Sequence, residues 1–357
     1  MKVAALILAG GYGERLWPKS RKNLPKQFLP ITHQSKTMIQ LTAERLLAAI
    51  LPQNIFVMTN IQYKALAQQQ LCEDLQIPLQ NIFCEPCSQN TAAAVALAIG
   101  FIEEKMGDCV VFISAADAKI ENTEHFLQTF NQCTNIAQKG EHFVMVGTAP
   151  THAETAFGYI QLKNARLEQS GDTVFEVASY TDKPDLQKAK SFVESGEYLW
   201  NTCLLATKIS FFNRQFGFYA PEIFEITQNI AKNPGLFTKK EYGKCPSLSL
   251  DEALLQKCQK LLVVKAAFDW DDVGSWNAIS RIKNDFSDAN FFAGDVVALN
   301  CKNTLIEGNK KLIAAVGLED LIVIDTDDAL LICRQDQCQK IKEVLETLKQ
   351  QNRSQIL

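Results

Sequence analysis

The chain has 357 residues, a formal charge of −4, 47% hydrophobic residues and 21% charged residues. That balance is typical of a soluble globular protein with room for one large α/β domain plus a smaller one. It argues against a general binder of nucleic acid or acidic membranes. Eleven cysteines, an odd number spread singly along the chain, predict reduced thiols in a cytoplasmic protein rather than a disulfide framework.

The opening "MKVAALILAGG" combines a cation, an apolar run and small residues. The run is short and leads straight into a cationic loop, so it is expected to be a first strand rather than a leader. Further strands are predicted at 54–59, 80–84, 109–114 and 142–147, with helical stretches near 37–50, 61–75, 91–105 and 123–139. Continuous apolar strands alternating with helices predict a Rossmann-like, mostly parallel sheet with helices on both faces. Ligands of such sheets sit beyond the carboxyl ends of the strands. The glycine loop, the segment Glu85 to Asn90, and Asp117 all follow strand ends. "TAAAVALAIGF", the longest apolar helical run, is too short to cross a bilayer and is expected to lie in the core.

Between 150 and 285 the alternation is less regular. From Gly294 short apolar runs are punctuated about every eight residues by Gly, Asn or Asp, which predicts a small β unit, a rudimentary coil of strands. It ends in an amphipathic helix with Ile341, Val344, Leu345 and Leu348 on one face. The expected division is a catalytic domain over 1–285 and a C-terminal β unit with its helix over 290–357.

The loop "LILAGGYGERLWPKSRKNLPKQFL" gathers five cations around one acid, Glu14. A dinucleotide fingerprint needs a third glycine where Leu16 and Trp17 stand, and a P-loop needs Lys-Ser or Lys-Thr where Glu14 and Arg15 stand. Neither fits. Gly10, Gly11 and Gly13 still permit close backbone approach to phosphate, with Arg15 and Lys26 supplying charge. A strand-to-helix turn with solvated cations is the plainer alternative.

These residues, with "EP…NTAAAVALA", "FGYI", "DKP", "YLWN", "DVGSW" and "GDVVAL…DLIVIDTDDALLIC", resemble the sugar-1-phosphate nucleotidyltransferases. The Trp-Pro and Pro-Lys-Gln-Phe elements resemble the bacterial mannose-1-phosphate guanylyltransferases, or GDP-mannose pyrophosphorylases, in particular. The resemblance covers nearly the whole chain. It implies that GTP and α-mannose 1-phosphate are converted to GDP-mannose and pyrophosphate by in-line attack at the α-phosphorus, assisted by Mg²⁺. The nucleophile is already anionic, so positioning and charge neutralisation would suffice.

Residue by residue, the resemblance places Gly10, Gly11, Gly13, Arg15 and Lys26 on the nucleotide phosphates, and Glu85, Pro86, Ser88, Asn90 and Thr91 against the nucleoside. It assigns the metal to Asp117 and Asp272, and the sugar phosphate to Gly158, Tyr159, Asp182, Lys183 and Asn201, with Asp251 near the sugar. Arg15, Lys26, Asp117 and Asp272 would carry the chemistry. Capping is the plainer reading of Asp117 and Asp251, and a turn that of Asp272. The chain departs from the family's pattern at Gln89 (commonly Arg), Ala118 (His), Asp182 (Glu) and Thr202-Cys203 (Ser-Gly). Those departures leave open another base or hexose, or a non-catalytic nucleotide-sugar-binding paralogue. His33, His125, His142 and His152 fall outside the motifs and are expected on the surface or in packing. Cys84 and Cys87 are read as incidental. The C-terminal unit resembles one that supports homodimers. A single activity is expected, because the isomerase domain of longer relatives does not follow.

Overall fold

The computed structural model describes residues 2–31, 35–166, 173–283 and 290–357. His33 and the junction around 285–290 thus fall wholly or mainly outside the described residues. The chain forms two compact units, neither of which is a single run of sequence. The first comprises Met1–Gly10, Thr42–Ala116 and Ile120–Trp270; the second comprises Gly11–Leu41, Asp117–Lys119 and Asp271–Leu357.

The first unit holds a nine-stranded sheet built from β1 (Val3–Ala9), β2 (Ile55–Asn60), β3 (Ile82–Glu85), β4 (Val110–Ala115), β5 (Phe143–Thr148), β6 (Gly158–Arg166), β7 (Val174–Asp182), β8 (Tyr198–Lys208) and β9 (Leu261–Lys265). Their order is β3-β2-β1-β4-β8-β5-β9-β7-β6. The pairings of β1 with β2 and β4, of β2 with β3, and of β5 with β9 are parallel, whereas β7 and β8 run against their neighbours. With only β7 and β8 reversed, most strands run in one direction, which is the mostly parallel sheet expected from the alternating pattern. β1 is a strand whose apolar run lies between β2 and β4, with Ala4 to Ile7 fully buried.

The principal helices are α1 (Met38–Leu47), α2 (Asn90–Met106), α3 (Thr123–Ala137), α4 (Leu186–Ser195), α5 (Ile209–Tyr219), α6 (Pro221–Lys232), α7 (Trp276–Lys283) and α8 (Ile341–Gln350). Side chains alternate along β4. Val111 and Ile113 join the core that contains Ala92 to Ile102 of α2, while Phe112 packs on Phe126 and Phe130 of α3. Helices thus cover both faces. The alanine-rich α2 lies in the core because small side chains permit close approach. A Cβ on its Gly100 would stand 2.8 Å from the Ala231 Cβ of α6. Among the described residues no helix is long and apolar enough to cross a membrane.

The helix expected over 61–75 is a composite. A 3-10 turn over Ile61–Tyr63, capped by Asn60 Oδ1 accepting from Gln62 N at 3.2 Å, runs into an α turn and then a π segment over Gln68–Glu73. Tyr63, Ala67 and Leu71 keep a buried stripe at a spacing of four through these changes of pitch.

In the second unit β10 (Phe291–Ala293), β12 (Leu305–Glu307) and β14 (Leu321–Asp325) pair in parallel, as do β11 (Val296–Leu299) and β13 (Ile313–Val316). β15 (Leu330–Arg334) closes the larger sheet antiparallel to β14. This is the predicted coil of strands. On α8, Ile341, Leu345 and Leu348 are buried as expected, but Val344 is 41% exposed. Three residues from Ile341 and four from Leu348, it lies at the margin of the stripe and faces outward.

Two tryptophans fix the cationic loop within this unit. Trp276 Nε1 donates to the Trp17 carbonyl at 2.9 Å, and Trp17 Nε1 donates to the Ile356 carbonyl at 2.7 Å. Both rings are buried with their N–H groups satisfied, so bulk and direction are used together.

Candidate active site

Of the three loop glycines only Gly13 has a positive φ, +64°. A Cβ there would also stand 2.6 Å from the Lys26 Cβ and 2.9 Å from the Lys26 nitrogen, so bulk and backbone both require glycine. At Gly11 nothing in the protein lies within 4 Å of the Cβ position, which leaves that backbone open to a ligand. Gln27 Nε2 donates to the Gly11 carbonyl at 3.0 Å and Ser20 Oγ to the Gly13 carbonyl at 2.6 Å. The loop carbonyls are thereby held by side chains from the segment that follows.

Lys26 is 5% exposed, and its ammonium joins two distant parts of the sequence. Its Nζ lies 2.8 Å from Asp117 Oδ2 and donates to the Asp272 carbonyl at 2.6 Å. Asp272 Oδ1 accepts from Gly274 N at 2.9 Å, and Arg15 Nη2 and Asp272 Oδ2 approach the same side of Gly274. Burial pushes the Asp272 carboxyl above its ordinary range, while the charges of Lys26 and Arg15 act in the opposite direction. Asp117 does not cap the following helix; Asn122 does, its Oδ1 accepting from His125 N at 3.0 Å. Gly13, Arg15, Lys26, Asp117 and Gly274 line one cleft of about 280 Å³. Among the described residues no cluster of three or more His, Cys, Asp or Glu is arranged as a metal cage. Asp117 and Asp272, each with a side chain held in place, are the candidate oxygen donors for a hard cation such as Mg²⁺.

In the first unit, the segment from Glu85 to Thr91 is tied down along its length. Glu85 is 5% exposed and its Oε1 accepts from Tyr242 Oη at 2.6 Å. Asn60 Nδ2 donates to Ser88 Oγ at 3.4 Å, Gln89 Nε2 to the Gly243 carbonyl at 2.9 Å, and Leu250 N to Thr91 Oγ1 at 2.8 Å. Asn90 begins α2 with φ +64°. A Cβ on Gly10 would lie 3.3 Å from Glu85 Oε2.

Burial raises the Glu85 carboxyl from 4.5 to about 7, against partial offset by Tyr242 and the Gln89 N–H. The folded state therefore holds this proton more tightly than the unfolded chain. Its stabilising contribution is complete below about pH 4.5 and is lost as pH rises through 7. Glu85→Gln should remove up to about 3 kcal/mol of decline in ligand-free stability between pH 5 and 8. Urea unfolding of both proteins across that range checks it; parallel profiles would refute it.

The residues expected on the sugar side lie around a hydrogen-bonded chain. Asn201 Nδ2 donates to Tyr180 Oη at 3.0 Å, and Tyr180 Oη donates to Asp251 Oδ1 at 2.6 Å. Burial, then the Asp251 charge, push the Tyr180 hydroxyl far up, so it remains a donor. A Cβ on Gly158 would lie 2.2 Å from Tyr180 Oη, which explains that glycine. Lys183 holds Asp182 Oδ2 at 2.7 Å from a left-handed backbone, φ +46°. Tyr159 is fully buried, and its hydroxyl donates to the Glu154 carbonyl at 3.0 Å. Asp251 is committed to Tyr180 rather than to the capping pair. Ser249 and Glu252 form the capping pair, with Ser249 N donating to Glu252 Oε2 at 2.8 Å and Glu252 N to Ser249 Oγ at 3.1 Å.

Tyr180 is the residue that motif reading passed over, although Ile160 of "FGYI" pairs with it in the sheet and Asn201 of "YLWN" donates to its hydroxyl. Tyr180→Phe should leave Asp251 without its donor and lower stability by about 1–2 kcal/mol. It should also raise KM for the sugar phosphate several-fold, as unfolding and initial-rate measurements would show. Of the histidines, His152 packs its ring on Trp200, as expected of a packing residue. Cys84 and Cys87 are free thiols.

The loop, the acid pair joined by a lysine, and the coil of strands define a class that comparison with known proteins bears out. The Nucleotidyl transferase sequence profile matches residues 4–289, and the MannoseP isomerase/GMP-like beta-helix domain profile matches residues 294–348. The chain belongs to the nucleotidyl transferase family. It is 34% identical to a mannose-1-phosphate guanylyltransferase of Klebsiella pneumoniae over 356 residues, 98% of this chain and 74% of the relative. An Escherichia coli mannose-1-phosphate guanylyltransferase gives the same identity and the same coverage. A crystal structure of a mannose-1-phosphate geranyltransferase from Thermus thermophilus superposes with a TM-score of 0.88 at 27% identity. That match covers 98% of this chain and 100% of the other.

Proposed function

We propose that the protein is an enzyme that makes GDP-mannose and pyrophosphate from GTP and α-mannose 1-phosphate. The observation that carries this is Lys26 joining Asp117 to the Asp272 backbone, beside Arg15 and the open backbone of Gly11. The curated relatives that match along nearly the whole chain, named for that reaction, support the choice of substrates over another base or hexose.

In this reading an oxygen of the sugar phosphate forms a bond to the α-phosphorus. The bond from that phosphorus to the bridging oxygen of the β-phosphate breaks, and its electron pair leaves with pyrophosphate. The loop amides near Gly11 and the Arg15 guanidinium bind the phosphate tail. Lys26 fixes the two aspartates and neutralises charge on the reacting phosphates. Asp117 and Asp272 would hold Mg²⁺, which when bound supplies charge neutralisation to the phosphates. Lys183, Asp182 and Asn201 would receive the sugar phosphate, while Gly158 and Tyr159 shape that wall. Glu85 to Thr91 would meet the nucleoside. No side chain has to act as a base.

We further assign catalysis to residues 1–285 and dimerisation to 290–357, where Val297, Leu299, Val316 and Ile332 are exposed apolar side chains on the β coil. Free thiols support a cytoplasmic protein. Purified protein incubated with each nucleoside triphosphate and each hexose 1-phosphate, with and without Mg²⁺, should release pyrophosphate most rapidly with GTP and mannose 1-phosphate. Silence with that pair removes the substrate assignment. Binding of GDP-mannose without turnover anywhere on the panel would instead indicate a nucleotide-sugar sensor.

A further inference from the structure

The cleft lined by Gly13, Arg15, Lys26 and Asp117 has one more cation on its wall, Lys342, which belongs to no motif singled out in the sequence. It stands in the first turn of α8, one residue after the buried Ile341 that anchors this end of the helix. The Lys342 side chain is exposed, and among the described residues it has no ion pair. Its neighbours in the same unit do have partners. Lys19 and Lys283 meet Glu307, Arg21 meets Asp328, and Lys349 meets Glu14 at 3.5 Å. A lysine in a first turn also opposes the helix dipole, which favours anions there. Of the acids on this wall, Asp117 is paired with Lys26, and Glu14 lies beside Lys349. Lys26 is balanced by Asp117, so Lys342 is a cation on this cleft whose charge is left for an entering polyanion.

We infer that Lys342 is a phosphate-binding residue: the C-terminal helix completes the cleft by placing this ammonium against the pyrophosphate end of the nucleotide, and against free pyrophosphate. The inference rests on the nucleotidyltransferase reading above and extends it to the C-terminal helix. A lysine serves here because a flexible point charge can follow pyrophosphate as it separates, whereas Arg15 presents a rigid fork.

The test uses the full chain as wild type, Lys342→Ala, Lys342→Arg and, as a control for general surface charge, Lys349→Ala. Initial rates are measured forward with GTP and mannose 1-phosphate, and in reverse with GDP-mannose and pyrophosphate. Lys342→Ala should raise KM for GTP and for pyrophosphate roughly tenfold and leave KM for mannose 1-phosphate unchanged. Arginine should restore most of the loss, and Lys349→Ala should behave as wild type. An active wild type with unchanged constants in Lys342→Ala overturns the inference and leaves the functional reading standing. Equal losses in the two alanine variants overturn it in favour of a diffuse field. If the wild type is inactive with GTP and mannose 1-phosphate, the reading itself fails. Calorimetric binding of inorganic pyrophosphate to wild type and Lys342→Ala then decides the role of Lys342 alone.

Discussion

Asp272→Asn is expected to lower kcat by about a thousandfold while leaving the ligand-free protein at least as stable as wild type. The two halves of this result have one cause. Burial raises the Asp272 carboxyl, so holding it ionised in the folded chain works against folding. Asparagine keeps an oxygen to accept from Gly274 N and removes the charge that burial disfavours. Stability should therefore hold or rise. Turnover should collapse if, as proposed, Asp272 is one of two anionic ligands of a Mg²⁺ ion that neutralises the phosphates. Lys26 would keep its contacts to Asp117 and to the Asp272 carbonyl, since neither involves the lost charge. Stopped-assay rates with saturating GTP and mannose 1-phosphate, set beside thermal unfolding, separate the two effects. A variant that retained full activity would show that the carboxylate is not a ligand. One that lost both activity and stability would show that Asp272 is structural.

Much of the fold was legible because its causes are local. The β1 run, the alanine-rich α2 and the punctuated strands after Gly294 each carry their period in a short window, and the structure keeps all three. The cationic loop was legible as an anion site for the same reason: its glycines and charges are adjacent. The convergence of residues 26, 117 and 272 was beyond direct reading, because no local pattern ties a strand-end aspartate to a turn more than 150 residues later. A resemblance supplied that pairing, and Lys26 supplies its physical form. Tyr180 was missed because a tyrosine in a strand reads as packing until its hydroxyl is seen between Asn201 and Asp251. Lys342 was missed because the helix pattern draws attention to its apolar stripe.

Cys203 lies in the left-handed backbone region, with φ +58°. That backbone opposes an L side chain by about 1 kcal/mol. The same conformation recurs at Lys183, Asn90 and Val273, each at or beside a candidate site residue. Six other described non-glycine residues share it, five of them Asn or Asp, which tolerate that region. The conformations of Lys183, Cys203 and Val273 are invisible in composition, since none of these is a customary occupant.

Gly13→Ala should be the most damaging single-methyl change in the loop, lowering stability by about 2–3 kcal/mol and kcat/KM for GTP by at least a hundredfold. Two penalties coincide at this residue. Its φ of +64° disfavours alanine, and the added carbon would stand 2.6 Å from the Lys26 Cβ and 2.9 Å from the Lys26 nitrogen. One of those atoms is backbone, so a rotamer change cannot relieve the clash. Either the loop opens or Lys26 withdraws from Asp117 and from the Asp272 carbonyl. Gly11→Ala is the informative comparison, because nothing in the protein lies within 4 Å of its Cβ position. It should fold as wild type does, so any fall in activity must come from obstruction of the ligand. Unfolding curves for the two variants, with KM for GTP measured for each, therefore distinguish a glycine needed by the fold from one needed by the phosphates. If Gly13→Ala folded and turned over normally, Lys26 would not be the residue that organises the site.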